Sequence, residues 1–252
     1  MSRIIAIANQ KGGVGKTTTA VNLAAGLATP ERRVLLVDLD PQGNATQGVG
    51  LDKQEPAHTT YDVLVNGVPV TGAFVPTETP GLWALPSNRD LVGAEVELVD
   101  AERREHRLRD AIAAARQEFD WIIVDCPPSL SLLTLNGLVA ADRVLITLQC
   151  EYYALEGLSE LLNTVMLVRD NLNPGLGVLG VLLTMHQHTN LSRQVVEDVR
   201  THLGAKVFDT VIPRNVSLSE APSFGKPIHA YDPKSAGALA YAALAQEVLA
   251  RG

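Results

Sequence analysis

Short apolar runs alternate with longer segments whose apolar residues recur at helical spacing along almost the whole chain. The clearest runs are residues 4–8, 33–38, 121–125, 143–148 and 178–184, with a shorter sixth at 207–212. Each is nearly continuous, as expected for strands buried on both faces of a parallel sheet. Residues 17–28, 104–119, 155–171, 192–203 and 235–249 carry the helical pattern between them. This alternation predicts a single doubly wound α/β domain over residues 1–252, its sheet mostly parallel and helices on both faces. Residues 51–98 are less regular and contain Pro56, Pro69, Pro76, Pro80 and Pro86. A short helix near 61–65 and a short strand near 82–85 are expected there, joined by loops. No linker, repeat or low-complexity segment divides the chain.

The first strand runs into Lys11-Gly12-Gly13-Val14-Gly15-Lys16-Thr17-Thr18, and a helical run follows. The segment fits the phosphate-cradling pattern G-x-x-x-x-G-K-[ST] with one shift, in a tighter form that begins with a lysine. Strand, glycine loop and helix form the context that such a loop requires. The glycines let backbone N–H groups converge on one hollow, and the helix N-terminus adds partial positive charge. Lys16 is expected to reach the β- and γ-phosphates, and the Thr17 hydroxyl to hold Mg²⁺.

Two further strands end in carboxylates. Residues 33–38 lead into Asp38-Leu39-Asp40-Pro41-Gln42-Gly43-Asn44. Ligands of open α/β sheets bind at the carboxyl ends of strands, so both acids should emerge beside the loop. One would orient or activate water and one would touch the Mg²⁺ shell, unless the acid before Pro41 merely shapes a turn. Trp121–Asp125 ends in a single acid that matches the Mg²⁺-binding strand of phosphate-loop NTPases, usually acting through water. Pro127-Pro128-Ser129 would stiffen the loop after it as a γ-phosphate switch. Ile212-Pro213-Arg214-Asn215 could hold a base, or could be a turn in which Asn215 caps the next helix.

Composition narrows the class. The formal net charge is -7 and the two cysteines, Cys126 and Cys150, have no disulfide or zinc spacing. No apolar run approaches the roughly 18 residues that span a bilayer, and no leader precedes the first strand, so a cytoplasmic protein is expected. A nucleic acid would have to use a local basic patch. The candidates, Arg193, Arg200, Lys206, Arg214 and Lys226, lie in the second part of the chain, as do His186, His188, His202 and His229.

The loop with its early lysine resembles the deviant phosphate loop of the ParA/MinD ATPases. Asn9-Gln10 before it, the 37–44 and 125–129 segments, Glu151–Gly157 and residues 212–228 extend the match. From end to end the chain resembles the small chromosomal ParA (Soj) proteins. The resemblance implies ATP and Mg²⁺ as cofactors and an ATP-dependent homodimer built as a nucleotide sandwich. It implies that Lys11 reaches the partner's phosphates and that Asp40 promotes slow hydrolysis. It also implies adenine contacts from Pro213 and Asn215 with Met185 close by, and non-specific DNA binding on the nucleoid. Finally it implies stimulation by a ParB-type centromere-binding protein. An arginine expected soon after Thr184-Met185 is missing, and His188 or Arg193 would stand in for it. A MinD-like membrane-cycling role is the main alternative, but it calls for a C-terminal amphipathic helix rich in Lys, and the last twelve residues carry one basic residue. An iron–sulfur role needs a cysteine pair shared across a dimer, which Cys126 and Cys150 do not suggest.

Overall fold

The computed structural model describes residues 2–54, 56–151 and 154–251, with nothing said of the side chains of residues 154–156. Eight strands form one sheet: β1 (Arg3–Ala8), β2 (Val34–Asp38), β3 (Val75–Pro76), β4 (Leu82–Leu85), β5 (Trp121–Asp125), β6 (Arg143–Gln149), β7 (Gly177–His186) and β8 (Val207–Pro213). Their order is β3-β4-β2-β5-β1-β6-β7-β8. All pairings are parallel except the edge pair of β3 with β4. The apolar runs become strands because each strand buries alternate residues in two separate cores. Ile4, Ala6, Leu35, Val37, Ile122 and Val124 face one core. Ile5, Ile7, Val34, Leu36, Trp121 and Ile123 face the other.

The helices are α1 (Lys16–Leu27), α2 (Asn44–Gly48), α3 (Thr60–Leu64), α4 (Leu91–Glu97), α5 (Arg107–Ala111), α6 (Leu132–Ala140), α7 (Ala154–Asn171), α8 (Asn190–Leu203), α9 (Val216–Glu220), α10 (Ile228–Tyr231) and α11 (Ala236–Arg251). Helices α1, α2, α10 and α11 cover one face, and α3 to α8 cover the other. The chain leaves β1 toward β2 on one side and meets β6 on the other, so the order reverses at β1. The crevice at the carboxyl end of β1 is therefore the place where this architecture receives a ligand.

The helix expected over 104–119 is broken. The segment is a 3₁₀ turn, the short α5 and a second 3₁₀ turn, with the ladder ending at Ile112. At the start of the segment the interruption comes from α6, where the fully buried Asn136 accepts from Leu108 N–H at 3.0 Å and donates to Arg104 C=O at 2.9 Å. A side chain from a neighbouring helix satisfies the backbone groups and removes the need for a continuous helix. Helices α2, α4, α6 and α10 and the strand β3 are additions to the sequence-based expectation.

Candidate nucleotide site

Residues 9–18 join β1 to α1 at the reversal point, anchored from two sides. The buried Asn9 donates to Thr147 C=O of β6 and accepts from Lys11 N–H at 2.9 Å. Thr184 of β7 donates through its hydroxyl to Val14 C=O at 2.9 Å. Between these anchors Gly13 and Gly15 hold φ of 74° and 84°, a region that disfavours side chains, so the pattern's glycines are required. Gly15 C=O starts the helix by accepting from Thr19 N–H at 2.9 Å. The free N–H groups of the first turn of α1 are left at the hollow, as an anion requires.

Lys16 is 6% exposed and curls back to donate to Lys11 C=O at 2.9 Å. Burial lowers its pKa, and the Asp125 carboxylate beside it opposes that shift. Lys11 behaves oppositely. Its side chain is 57% exposed, and its ammonium meets Glu151 Oε2 at 2.8 Å. The loop thus carries one lysine folded inward and one at the outer rim. Thr17 and Thr18 open α1, half-buried at the edge of the hollow.

The three carboxylates separate by environment. Asp38 is spent on structure. Its Oδ2 accepts from Thr46 N–H at 2.8 Å and the Thr46 hydroxyl at 2.7 Å, and its Oδ1 accepts from Asp40 N–H at 3.2 Å. Burial pushes its carboxyl up to about 6, against these hydrogen bonds. Asp40, 8% exposed, accepts from Gln42 N–H at 2.9 Å through Oδ1. Its carbonyl accepts from the Ser87 hydroxyl at 2.9 Å. Asp125 is fully buried and neither carboxylate oxygen has a hydrogen-bond partner. Burial and then the nearby Asp38 charge push its pKa well up. The Thr17 hydroxyl favours the charged form without reaching full hydrogen-bond geometry. A bare buried carboxylate pair of oxygens beside a threonine hydroxyl and a lysine is an incomplete polar site.

A cavity of about 300 Å³ lies on the other side of the loop, bounded by Gly15, Thr18, Thr184, Met185, Ile212, Pro213, Arg214, Asn215, Leu218, Ser219, Pro222 and Tyr241. Met185 takes φ of 53°, rare for a residue with a side chain, where β7 turns over the cavity. The Asn215 side-chain oxygen Oδ1 accepts from Leu218 N–H at 3.2 Å, so this side chain caps α9 and lines the cavity at once. The turn reading of residues 212–215 holds, and the same residues line a cavity. The floor is Tyr241, 1% exposed, whose hydroxyl shares a 3.0 Å hydrogen bond with Thr19 of α1. Ser87, Thr46, Tyr241 and Thr184 carry no local sequence signal, because each acts on a residue far along the chain.

Cys126 and Cys150 are buried and free. Burial raises both thiols, that of Cys150 to about 11, so they stay protonated packing residues. The basic candidates scatter. Arg193 and Arg214 lie at the carboxyl ends of β7 and β8, where Arg214 N–H donates to His186 C=O at 2.9 Å. Arg200 lies two turns along α8 and donates to Asp209 C=O at 3.1 Å. Lys206 directly precedes β8, at the opposite end of the sheet. Lys226 stands beside Thr17, Thr18 and Asn44 on the far side of the loop.

Comparison with known proteins agrees with this geometry. A family model described as an AAA domain matches residues 2–178. The chromosome partitioning protein ParA of Myxococcus xanthus is 57% identical over 252 residues, covering 100% of this chain and 89% of that protein. The sporulation initiation inhibitor protein Soj of Bacillus subtilis is 57% identical over 253 residues, covering 100% of both. A solved structure of cobyrinic acid a,c-diamide synthase from Mycobacterium smegmatis with bound ADP and magnesium superposes with TM-score 0.86 at 42% identity, covering 99% of this chain and 94% of that one. Loop, carboxylates, sheet order and full-length identity converge, and the chain belongs to the ParA/Soj family of chromosome-partitioning ATPases.

Proposed function

We propose that the chain, acting as one domain, is an ATP-driven DNA-partitioning switch. Two copies close face to face around Mg²⁺ and ATP, and the dimer holds DNA without sequence preference on the nucleoid in the cytoplasm. A ParB-type partner then stimulates slow hydrolysis and releases it. The observation that carries this reading is the opposed placement of the two lysines. Lys16 is turned into its own loop, while Lys11 is held at the rim, among the described residues, by an exposed ion pair worth at most about 1 kcal/mol. Lys11 is thus easily surrendered to a second chain's phosphates.

The other residues take complementary roles. Gly12, Gly13, Val14, Gly15 and Thr18 shape the phosphate cradle. Met185, Pro213, Arg214 and Asn215 border the adenine. The bare Asp125 oxygens and the Thr17 hydroxyl suit Mg²⁺, with Asp125 acting through water. Among the described residues no group of three or more His, Cys, Asp or Glu side chains could hold a metal alone. Oxygens of the nucleotide and of water would complete its shell. Bound there, the ion would neutralise phosphate charge. Asp40 remains to orient the attacking water, because Asp38 is occupied by Thr46.

Gly12→Val tests the dimer. Gly12 is exposed, and a Cβ there would find only Pro128 Cβ at 3.9 Å, an ordinary contact. The variant should fold and bind nucleotide normally but stay monomeric in gel filtration with a slowly hydrolysed ATP analogue. A full dimer would refute the face-to-face arrangement.

Arg214→Glu tests DNA contact. Its side chain is exposed beside the adenine cavity, so charge reversal should remove DNA binding while ATP-dependent dimerisation persists. Wild-type affinity should fall steeply with salt and be similar for unrelated duplexes. Duplex binding by the variant at wild-type strength across a salt series would remove Arg214 from the interface. Arg193, Arg200 and Lys226 are the remaining proposed contacts. A MinD-like membrane role is disfavoured by α11, which buries Tyr241, Leu244, Ala245 and Val248 in the core. Among the described residues no helix is long and apolar enough to cross a membrane.

A further inference from the structure

We propose that His186 and His188 form, with Arg193 and Arg214, a phosphate-contact patch that takes up protons when nucleic acid binds, so that DNA affinity rises as pH falls. The inference rests on the DNA reading above and assigns two residues and a regulation to that surface. Three observations carry it. The left-handed turn at Met185 ends the buried part of β7 and brings residues 186–188 out beside the adenine cavity, with His188 exposed and His186 partly so. The two imidazoles sit edge to face with centroids 5.9 Å apart. The groups around them are positive or neutral. Arg193 approaches from the first turn of α8, and Arg214 follows β8, its N–H bonded to His186 C=O.

Among the described residues, no carboxylate acts on His186. At the end of β6, burial keeps the Cys150 thiol protonated, and Glu151, which Lys11 leaves on dimerisation, still accepts from Gln149. On α9, Glu220 accepts from the Tyr231 hydroxyl at 3.0 Å. In the free protein His186 is held below the usual imidazole range, first by burial and then by His188 and Arg193. A phosphodiester carries negative charge and no proton. Placed against this cluster, it reverses the local potential and favours the imidazolium form. Proton uptake on binding then makes affinity rise with falling pH, by up to about tenfold per pH unit for each histidine that charges. The arginines cannot contribute to that slope, because they stay charged throughout.

The test measures duplex binding by fluorescence anisotropy with a slowly hydrolysed ATP analogue, at constant ionic strength, from about pH 8 to about pH 6. Wild type should bind at least about tenfold more tightly at the acid end. The double variant His186→Gln, His188→Gln should match wild type near pH 8 and change by no more than about twofold. His188→Gln, at an exposed position, should lose part of the slope and keeps the test valid if the double variant folds poorly. Asp38, raised to about 6, titrates in the same range, but equally in every variant, and light scattering at each pH confirms the dimer. A wild-type slope in a dimeric double variant overturns the histidine assignment alone. A wild-type dimer that binds no duplex at any pH overturns the DNA reading itself. Capture by phosphatidylglycerol vesicles in place of duplex would also overturn the proposal.

Discussion

Lys16→Ala is expected to abolish tight ATP binding. Lys16 is the ammonium that the loop buries; in the free protein it donates to the Lys11 carbonyl, and nearby Asp125 and Asp40 favour its charged form. Removing it leaves two buried acids facing the place where phosphates must sit. Truncating one partner of a buried, hydrogen-bonded charge pair between protein and ligand costs about 2–5 kcal/mol of binding, so affinity should drop by roughly two to four powers of ten. The fold should survive, because the loop's anchors at Asn9 and Val14 do not involve Lys16. Calorimetric titration with ATP and Mg²⁺ checks this. Unchanged affinity in a folded variant would refute the phosphate-loop reading.

Asp40→Ala should trap the ATP-bound dimer, with hydrolysis slowed by roughly 10²–10⁴-fold, the usual scale for a positioned acid–base group. The substitution isolates the carboxylate. The backbone of the turn is held independently, with Asp40 N–H on Asp38, its carbonyl on the Ser87 hydroxyl, and Gly43 N–H returning to Asp40 C=O at 3.0 Å. Only the hydrogen bond from Gln42 N–H to Oδ1 is lost. Single-turnover phosphate release, with gel filtration in ATP, separates a trapped dimer from a failure to bind. Asp125→Ala should act differently and weaken the Mg²⁺-dependent part of nucleotide affinity. Hydrolysis at the wild-type rate in Asp40→Ala would mean that another group positions the water.

The elements readable from the chain alone are those whose signal is local. The apolar runs that became β1, β2, β5, β6 and β7 declare themselves because a central strand is covered on both faces, and even the edge strand β8 sends residues into both cores. The loop declares itself because phosphate binding demands glycines, a lysine and a hydroxyl within eight neighbouring positions. Helix α6 escapes notice for a physical reason. Wedged against α5 and α7, it buries Leu133, Thr134, Asn136, Gly137, Leu138, Val139 and Ala140, so it lacks the one-sided stripe that marks an amphipathic helix.

The division of labour between Asp38 and Asp40 shows the same limit inside the site. Both follow one apolar run, two residues apart, with the same side chain. Thr46 and Ser87 distinguish them, reaching across 8 and 47 positions to claim the Asp38 carboxylate and the Asp40 carbonyl. The two roles of Asn215, the Tyr241 floor and the grouping of Arg214 with His186 are likewise long-range. Sequence by itself determined the fold class, the phosphate loop and the set of acids at the strand ends, because backbone preference and burial periodicity act between near neighbours. Tertiary structure alone decided which acid is free, which lysine faces outward and which cations gather, because hydrogen bonds and charge fields depend on distance in space.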